Sequence, residues 1–125
     1  MIAEIITQLK TGTIKNVVPF GATTTMPSPP YVVVKPETYI TGRGLRVIVH
    51  YAVGTQIYTK NTISYTPLDD YIYNELPSLI KDWSFINNHG ETMTVRDTGE
   101  ITDVNAVSDD NTVSMDRLFY IVQPK

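Results

Sequence analysis

The sequence of 125 residues contains no cysteine, which excludes disulfide bonds, thiolate metal sites and a thiol nucleophile. No stretch approaches the roughly 18 consecutive apolar residues of a membrane-spanning helix. The first ten residues, MIAEIITQLK, lack the basic segment followed by a long apolar run that is typical of a secretory signal. The sequence therefore predicts a soluble protein, without a membrane partner, that is made and assembled in the cytoplasm.

Positive charge is also scarce. The chain has ten Lys and Arg residues and 13 Asp and Glu residues, which give a formal net charge of −3 and a pI of about 5.2. A surface that binds nucleic-acid phosphates normally carries a basic excess. The composition thus argues against nucleic-acid binding as the main role.

Motifs for catalysis or metal binding are missing as well. His50 and His89 are not part of an HxH or HExxH pattern, and no GxSxG, GxGxxG or P-loop occurs. The acidic run at Asp109 lacks the glycine and the distal glutamate of a calcium loop. We therefore predict a protein without enzymatic activity, cofactor or metal ion.

The sequence contains enough apolar residues to form a hydrophobic core. Hydrophobic residues make up 42% of the chain, and eight tyrosines and many Thr and Val residues favour strands. Tyrosine also favours contact surfaces, because one end of its side chain can stay hydrated. The length fits a single domain spanning residues 1–125.

The clearest periodicity lies between Thr66 and Phe85 and predicts a long central helix. Its apolar residues recur at steps of three and four, at Leu68, Tyr71, Ile72, Leu76, Leu79, Ile80 and Trp83. Thr66 is a suitable N-cap, and Pro67 suits the first helical position. Pro77 lacks a backbone donor, so we expect a kink or a break around Glu75 to Pro77.

A second, shorter amphipathic helix is predicted for Met1 to Lys10, ending at Thr11-Gly12. The strand-like segments are Ile14 to Phe20, Tyr31 to Lys35, Leu45 to Val53, Glu91 to Arg96, Glu100 to Val107 and Thr112 to Val122.

The order of these segments predicts an α+β fold, in which a largely antiparallel β-sheet is flanked by an N-terminal helix and a longer central helix. The apolar run YVVVK predicts a strand covered on both faces. Pro19 indicates an edge strand or a strand end. Asp97 to Gly99 predicts a tight turn that joins two paired strands.

Four segments together resemble a known family: VVPFG, YVVVKP, RVIVHYAVG and the helix PLDDYIYNELPSLI. Their order after a short N-terminal helix resembles the small tail-terminator and tail-completion (head–tail joining) proteins of long-tailed bacteriophages. The resemblance covers the chain from Met1 to about Ile86. It implies a virion structural protein of the tail or neck that assembles as a homo-oligomeric ring, commonly a hexamer. Such a ring caps the tail tube and joins it to the head connector.

The resemblance gives roles to several polar segments. Subunit or partner contacts are expected at Thr23, Thr24, Thr25, Met26, Pro27, Arg43, Asp69, Asp70 and Asn74. An acidic lumen, through which DNA passes without specific binding, is expected at Asp97, Glu100, Asp103, Asp109 and Asp110.

Other interpretations stay open at the level of the sequence. The chain could be another phage neck, head-completion or tail-tube subunit. It could also be a cellular α+β protein, either a small enzyme or a domain that binds a protein or a small ligand, and a pocket formed by Arg46, His50 and Tyr51 would favour this interpretation. The segment GATTTMPSPP is either an exposed connection or an arm that reaches a neighbouring subunit.

Overall fold

In the computed structural model, residues 2–21, 28–40, 44–54, 66–102, 105–107 and 112–123 are described. They form two helices and one seven-stranded sheet, so the predicted α+β class is confirmed. The strands are β1 (Val17–Pro19), β2 (Tyr31–Ile40), β3 (Gly44–Gly54), β4 (Ser84–Ile86), β5 (Thr92–Ile101), β6 (Asn105–Val107) and β7 (Thr112–Val122).

The main strand order is β1-β2-β3-β7-β5-β4, with β6 pairing to β7 beyond the end of β5. The β1–β2 pair is parallel and the other pairs are antiparallel, as predicted for a largely antiparallel sheet. β3 and β7 pair over their whole lengths, from Gly44 opposite Val122 to Gly54 opposite Thr112. These two strands are the centre of the sheet.

One face of the sheet carries the core, because alternate residues of a strand point to the same side. Val47, Val49 and Tyr51 of β3 are buried there with both helices. The residues between them point to the opposite face, where Tyr31, Val33 and Ala52 form a smaller buried cluster. Since the whole run from Tyr31 to Val34 is buried, the prediction of a strand covered on both faces is confirmed.

The N-terminal helix, Ile2–Leu9, buries Ile5 and Leu9, and the predicted stop at Thr11-Gly12 lies in the turn that follows it. Glu75 of the central helix fixes the turn that follows, because its carboxylate accepts hydrogen bonds from the backbone and the hydroxyl of Thr13 at 2.9 and 2.7 Å. A Cβ atom on Gly12 would lie 2.7 Å from Glu75 Oε2. A side chain at position 12 would therefore require the ends of the Glu75 and Leu79 side chains to shift.

The central helix is continuous through Pro77, so the predicted kink or break takes a different form. It consists of three consecutive segments, Thr66–Asp69 and Leu76–Ile80 in α geometry and Asp70–Glu75 in π geometry. In the π segment the N–H of Leu76 donates to the carbonyl of Tyr71, one residue further back than in an α-helix.

The same register explains the position of Arg117. Residue 77 would donate its N–H to the carbonyl of Ile72 in a π turn, but proline has no N–H to give. Arg117 Nη1 donates to that carbonyl instead, at 2.9 Å. The rest of the guanidinium binds the carboxylate of Asp97, so one side chain from β7 ties β5 to the helix.

The helix ends at Ile80, five residues before the predicted end at Phe85. Asp82 adopts a left-handed conformation with φ 60°, and the chain then enters β4. Trp83 and Phe85 stack on each other with ring centroids 5.2 Å apart rather than lying on the helix. The sequence predicted a helix through these two residues because a strand of only three residues is too short to show a periodicity that differs from that of the preceding helix.

The predicted turn at Asp97 to Gly99 is wrong. β5 continues through it with a shift in register, and both β5 and β6 pair with β7 rather than with each other. Gly99 has φ 74°, and its N–H donates to Asp97 Oδ1, the local geometry of a bulge. Asp-Thr-Gly is a turn-forming sequence, and here it bends a strand without reversing it.

Within the described part of the chain, neither helix is long and apolar enough to cross a lipid bilayer.

Candidate functional site

A groove of about 250 Å³ lies on the sheet face opposite the helices. Its described lining residues are Phe20, Tyr31, Val33, Lys35, Ile48, His50 and Asp116. They come from β2, β3, β7 and the residue that follows β1. Their grouping follows from the strand register, which sets Val33 opposite His50 and His50 opposite Asp116. The neighbouring row sets Lys35 opposite Ile48.

One end of the groove carries a histidine–aspartate pair. His50 Nδ1 lies 2.6 Å from Asp116 Oδ1, and both side chains are about one third exposed. The ring of Tyr31 lies beside that of His50, with the centroids 6.4 Å apart. A carboxylate at Nδ1 orients the imidazole and leaves Nε2 for other contacts.

The other end carries a cation on an aromatic ring. Lys35 Nζ lies 4.7 Å from the centroid of Phe20. Among the described residues, no carboxylate lies within ion-pair distance of Lys35. The groove thus has a cationic end at Lys35 and an end at which the carboxylate of Asp116 contacts His50, with apolar side chains between them.

No protein-family model and no curated protein sequence matches this chain. Function is therefore inferred from the surfaces of the molecule itself.

A second candidate surface is formed by the two ends of the main strand order. β1 is one end, and Phe20 follows it directly with 58% of its surface exposed. β4 is the other end, and its Ile86 is 60% exposed. Edge strands present unpaired backbone groups, and an exposed apolar side chain beside each makes both edges suitable for association.

The predicted contact residues on the central helix are accessible. Asp69, Asp70 and Asn74 are all exposed. The remaining predicted contacts, Thr23, Thr24, Thr25, Met26, Pro27 and Arg43, lie outside the described residues.

Two residues of the predicted acidic surface, Asp97 and Glu100, lie in the described part of the chain. The side chain of Asp97 is just 6% exposed and pairs with Arg117, so it offers no free negative charge to a lumen. Burial by itself would raise the pKa of Asp97, but hydrogen bonds from Arg117 and Gly99 and the charges of Arg117 and Lys81 hold it below its ordinary value. Glu100 is exposed, 3.7 Å from Arg46. Asp103, Asp109 and Asp110 lie outside the described residues.

The pocket predicted from Arg46, His50 and Tyr51 does not form, because neighbouring strand residues point to opposite faces. Tyr51 lies in the core, stacked on Tyr71 with ring centroids 4.3 Å apart. Burial, with the nearby charge of Glu75, raises the pKa of Tyr51 to about 12. Arg46 shares the face of His50, but it forms an ion pair with Glu37 at 2.9 Å.

Sequence reasoning missed Phe20, Lys35 and Asp116 as site residues. The alternation in YVVVK could have indicated that Lys35 shares a face with Tyr31 and Val33. The pairing of β3 with β7, which brings Asp116 to His50, joins residues 66 positions apart and has no local signal. Among the described residues, no group of three or more His, Asp or Glu side chains could hold a metal ion.

Proposed function

We propose that this protein is a virion structural subunit of a long-tailed bacteriophage, a tail terminator that forms a ring at the head-proximal end of the tail. The ring joins the tail tube to the head connector and acts without catalysis. The α+β fold agrees with the class that the family resemblance implies. The observation that carries the proposal is the pair of apolar sheet edges at Phe20 and Ile86.

Two different surfaces at the two ends of one sheet suit head-to-tail association. When one copy's β1 edge meets the next copy's β4 edge, the contact is heterologous, and repeated contacts close into a ring if the rotation allows it. A self-complementary dimer would use the same surface of both subunits. The exposed acidic residues Asp69 and Asp70 remain available for other partners.

The first test is the native mass of the purified chain by light scattering at tens of micromolar. We expect a ring of six copies. Phe20→Ser or Ile86→Ser should each break the ring into smaller species, since each removes one side of the same contact. Tyr73→Ser is the matched control, because Tyr73 is also 52% exposed but lies on the central helix. A monomer for the unmodified chain contradicts the proposal, and twelve copies would indicate a connector-like ring.

The second test addresses the tail itself. Mixed with tail tubes that lack their terminator, the unmodified chain should add a ring at the head-proximal end, seen by negative-stain electron microscopy. The Phe20→Ser variant should not. Rings that form in solution but never attach to tubes would favour a head-completion role, and localisation along the tube would favour a tube subunit.

A further inference from the structure

The groove opposite the helices has the size for a small molecule. Apolar cavities of about 150 Å³ bind benzene. A groove of about 250 Å³ therefore has room for one substituted ring. A folded partner domain would need a far larger surface.

The side chains that line the groove favour a ligand that is mostly apolar. Phe20, Tyr31, Val33 and Ile48 supply most of its lining. Binding pockets are typically apolar with a few polar groups that fix the orientation of the ligand. An inorganic anion has no apolar part that would use these four side chains.

The charged residues of the groove indicate which polar group the ligand carries and at which end of the groove that group lies. Lys35 is held over Phe20, beside the apolar wall, with no described carboxylate in ion-pair distance. Asp116 lies one row of residues further along the sheet and two strands across from Lys35, roughly 12 Å away between Cα atoms by strand geometry. A ligand anion is attracted by Lys35 and repelled by Asp116, so it belongs at the Lys35 end.

We propose that this groove binds a small carboxylic acid with a single apolar ring. The carboxylate pairs with Lys35 Nζ, and the ring lies across Val33 and Ile48 toward His50. The inference rests on the groove, in which Phe20 is shared with the proposed subunit contact and the other lining residues are not.

The test uses 3-phenylpropionate as the probe, titrated into the 125-residue chain and followed by NMR. Two matched probes are the neutral 3-phenylpropionamide, which keeps the ring, and acetate, which keeps the carboxylate. We expect the acid to bind more tightly than the amide and acetate to bind hardly at all. Signals of Val33, Ile48 and His50 should shift.

Two variants separate charge from shape. Lys35→Met keeps the aliphatic stem and should weaken binding of the acid about five- to tenfold while leaving the amide unchanged. Ile48→Ser should weaken both the acid and the amide. Lys10→Met, which removes an exposed charge directly after the N-terminal helix, should change neither. Circular dichroism on each variant checks that the fold is kept.

Several results would overturn the assignment. Equal affinity of the acid for Lys35→Met and the unmodified chain removes the role of Lys35. Binding of acetate as strong as that of phenylpropionate shows that only the charge is recognised. No shift of groove signals at about 10 mM acid, a concentration that populates even millimolar sites, excludes the ligand class. Groove signals of the Ile86→Ser variant, which lacks one side of the proposed subunit contact, that change on dilution without any acid would assign the groove to a second copy of the chain.

Discussion

The hydroxyl of Tyr71 is buried and, in the described part of the chain, has no hydrogen-bond partner. Burial, with the charge of Glu75 and the neighbouring Tyr51, raises the pKa of this tyrosine. A buried polar group without a partner costs about 1–3 kcal/mol of free energy. The ring itself is well placed, because it stacks on Tyr51.

We predict that Tyr71→Phe raises the free energy of unfolding by about 1 kcal/mol, because it removes the unpaired hydroxyl and keeps the stacked ring. Urea denaturation monitored by circular dichroism measures the change. Tyr73→Phe, at an exposed position two residues away, should have no effect. A loss of stability in Tyr71→Phe would mean that the hydroxyl is hydrogen-bonded in solution.

Asp97 should make the free energy of unfolding depend on pH in the acidic range. Its pKa in the folded chain is held below the ordinary value of 3.8, so the unfolded chain binds the proton more readily. The stabilisation is therefore present above roughly pH 4 and is lost as the pH falls through the folded pKa. Asp97→Asn should be less stable at neutral pH and lose less stability on acidification. Urea denaturation across this range measures both effects, with the exposed Asp69→Asn as the control.

If Asp97→Asn and the unmodified chain lose the same free energy of unfolding on acidification, the Asp97–Arg117 pair does not persist in solution. The comparison is between slopes, so a uniform loss of stability in the variant does not affect it.

At the scale of the element, the central helix depends on a compensation between two residues far apart in sequence. Pro77 deprives the Ile72 carbonyl of a backbone donor, and Arg117 supplies a side-chain donor in its place. The π segment is thus stabilised from outside the helix. A helix with this sequence alone, in water, would lack that contact.

We predict coupling between Pro77 and Arg117 in a double-mutant cycle. Arg117→Met should destabilise the chain strongly, because it leaves both the Ile72 carbonyl and the Asp97 carboxylate without their partner. Adding Pro77→Ala provides an N–H for the helix. It should recover roughly 1 kcal/mol more in the Arg117→Met background than in the unmodified chain. The cost to Asp97 is common to both Arg117→Met variants and cancels.

The free energies of unfolding of all four chains measure this coupling. Additive effects of the two substitutions would show that Arg117 does not replace the donor that proline lacks.

At the scale of the whole molecule, the proposed ring predicts that stability depends on concentration. Association stabilises the folded state by mass action, so the Tm of the unmodified chain should rise with protein concentration. The Tm of Ile86→Ser should not, because one side of the contact is lost. Differential scanning calorimetry at several concentrations measures this, and Tyr73→Ser should behave like the unmodified chain. A constant Tm for the unmodified chain would contradict association through these edges.

Local sequence patterns were sufficient to predict most elements. The N-terminal helix, the buried strand beginning at Tyr31 and the α+β class follow from apolar periodicity, which reports the nearest turn or pleat of the chain. The continuation of β5 through Asp97 to Gly99 was not predictable in this way. Turn-forming residues permit both a reversal and a bulge, and the choice depends on pairing with β7.

The sequence by itself determined the composition, the amphipathic helices and which residues of each strand share a face, because these depend on short-range covalent geometry. Only the tertiary structure decided the strand order, and with it the His50–Asp116 pair, the Arg117 contact to the helix and the apolar edges at Phe20 and Ile86. These features join segments that are distant along the chain. Their free energy comes from packing and pairing across the sheet, for which no single segment carries a signal.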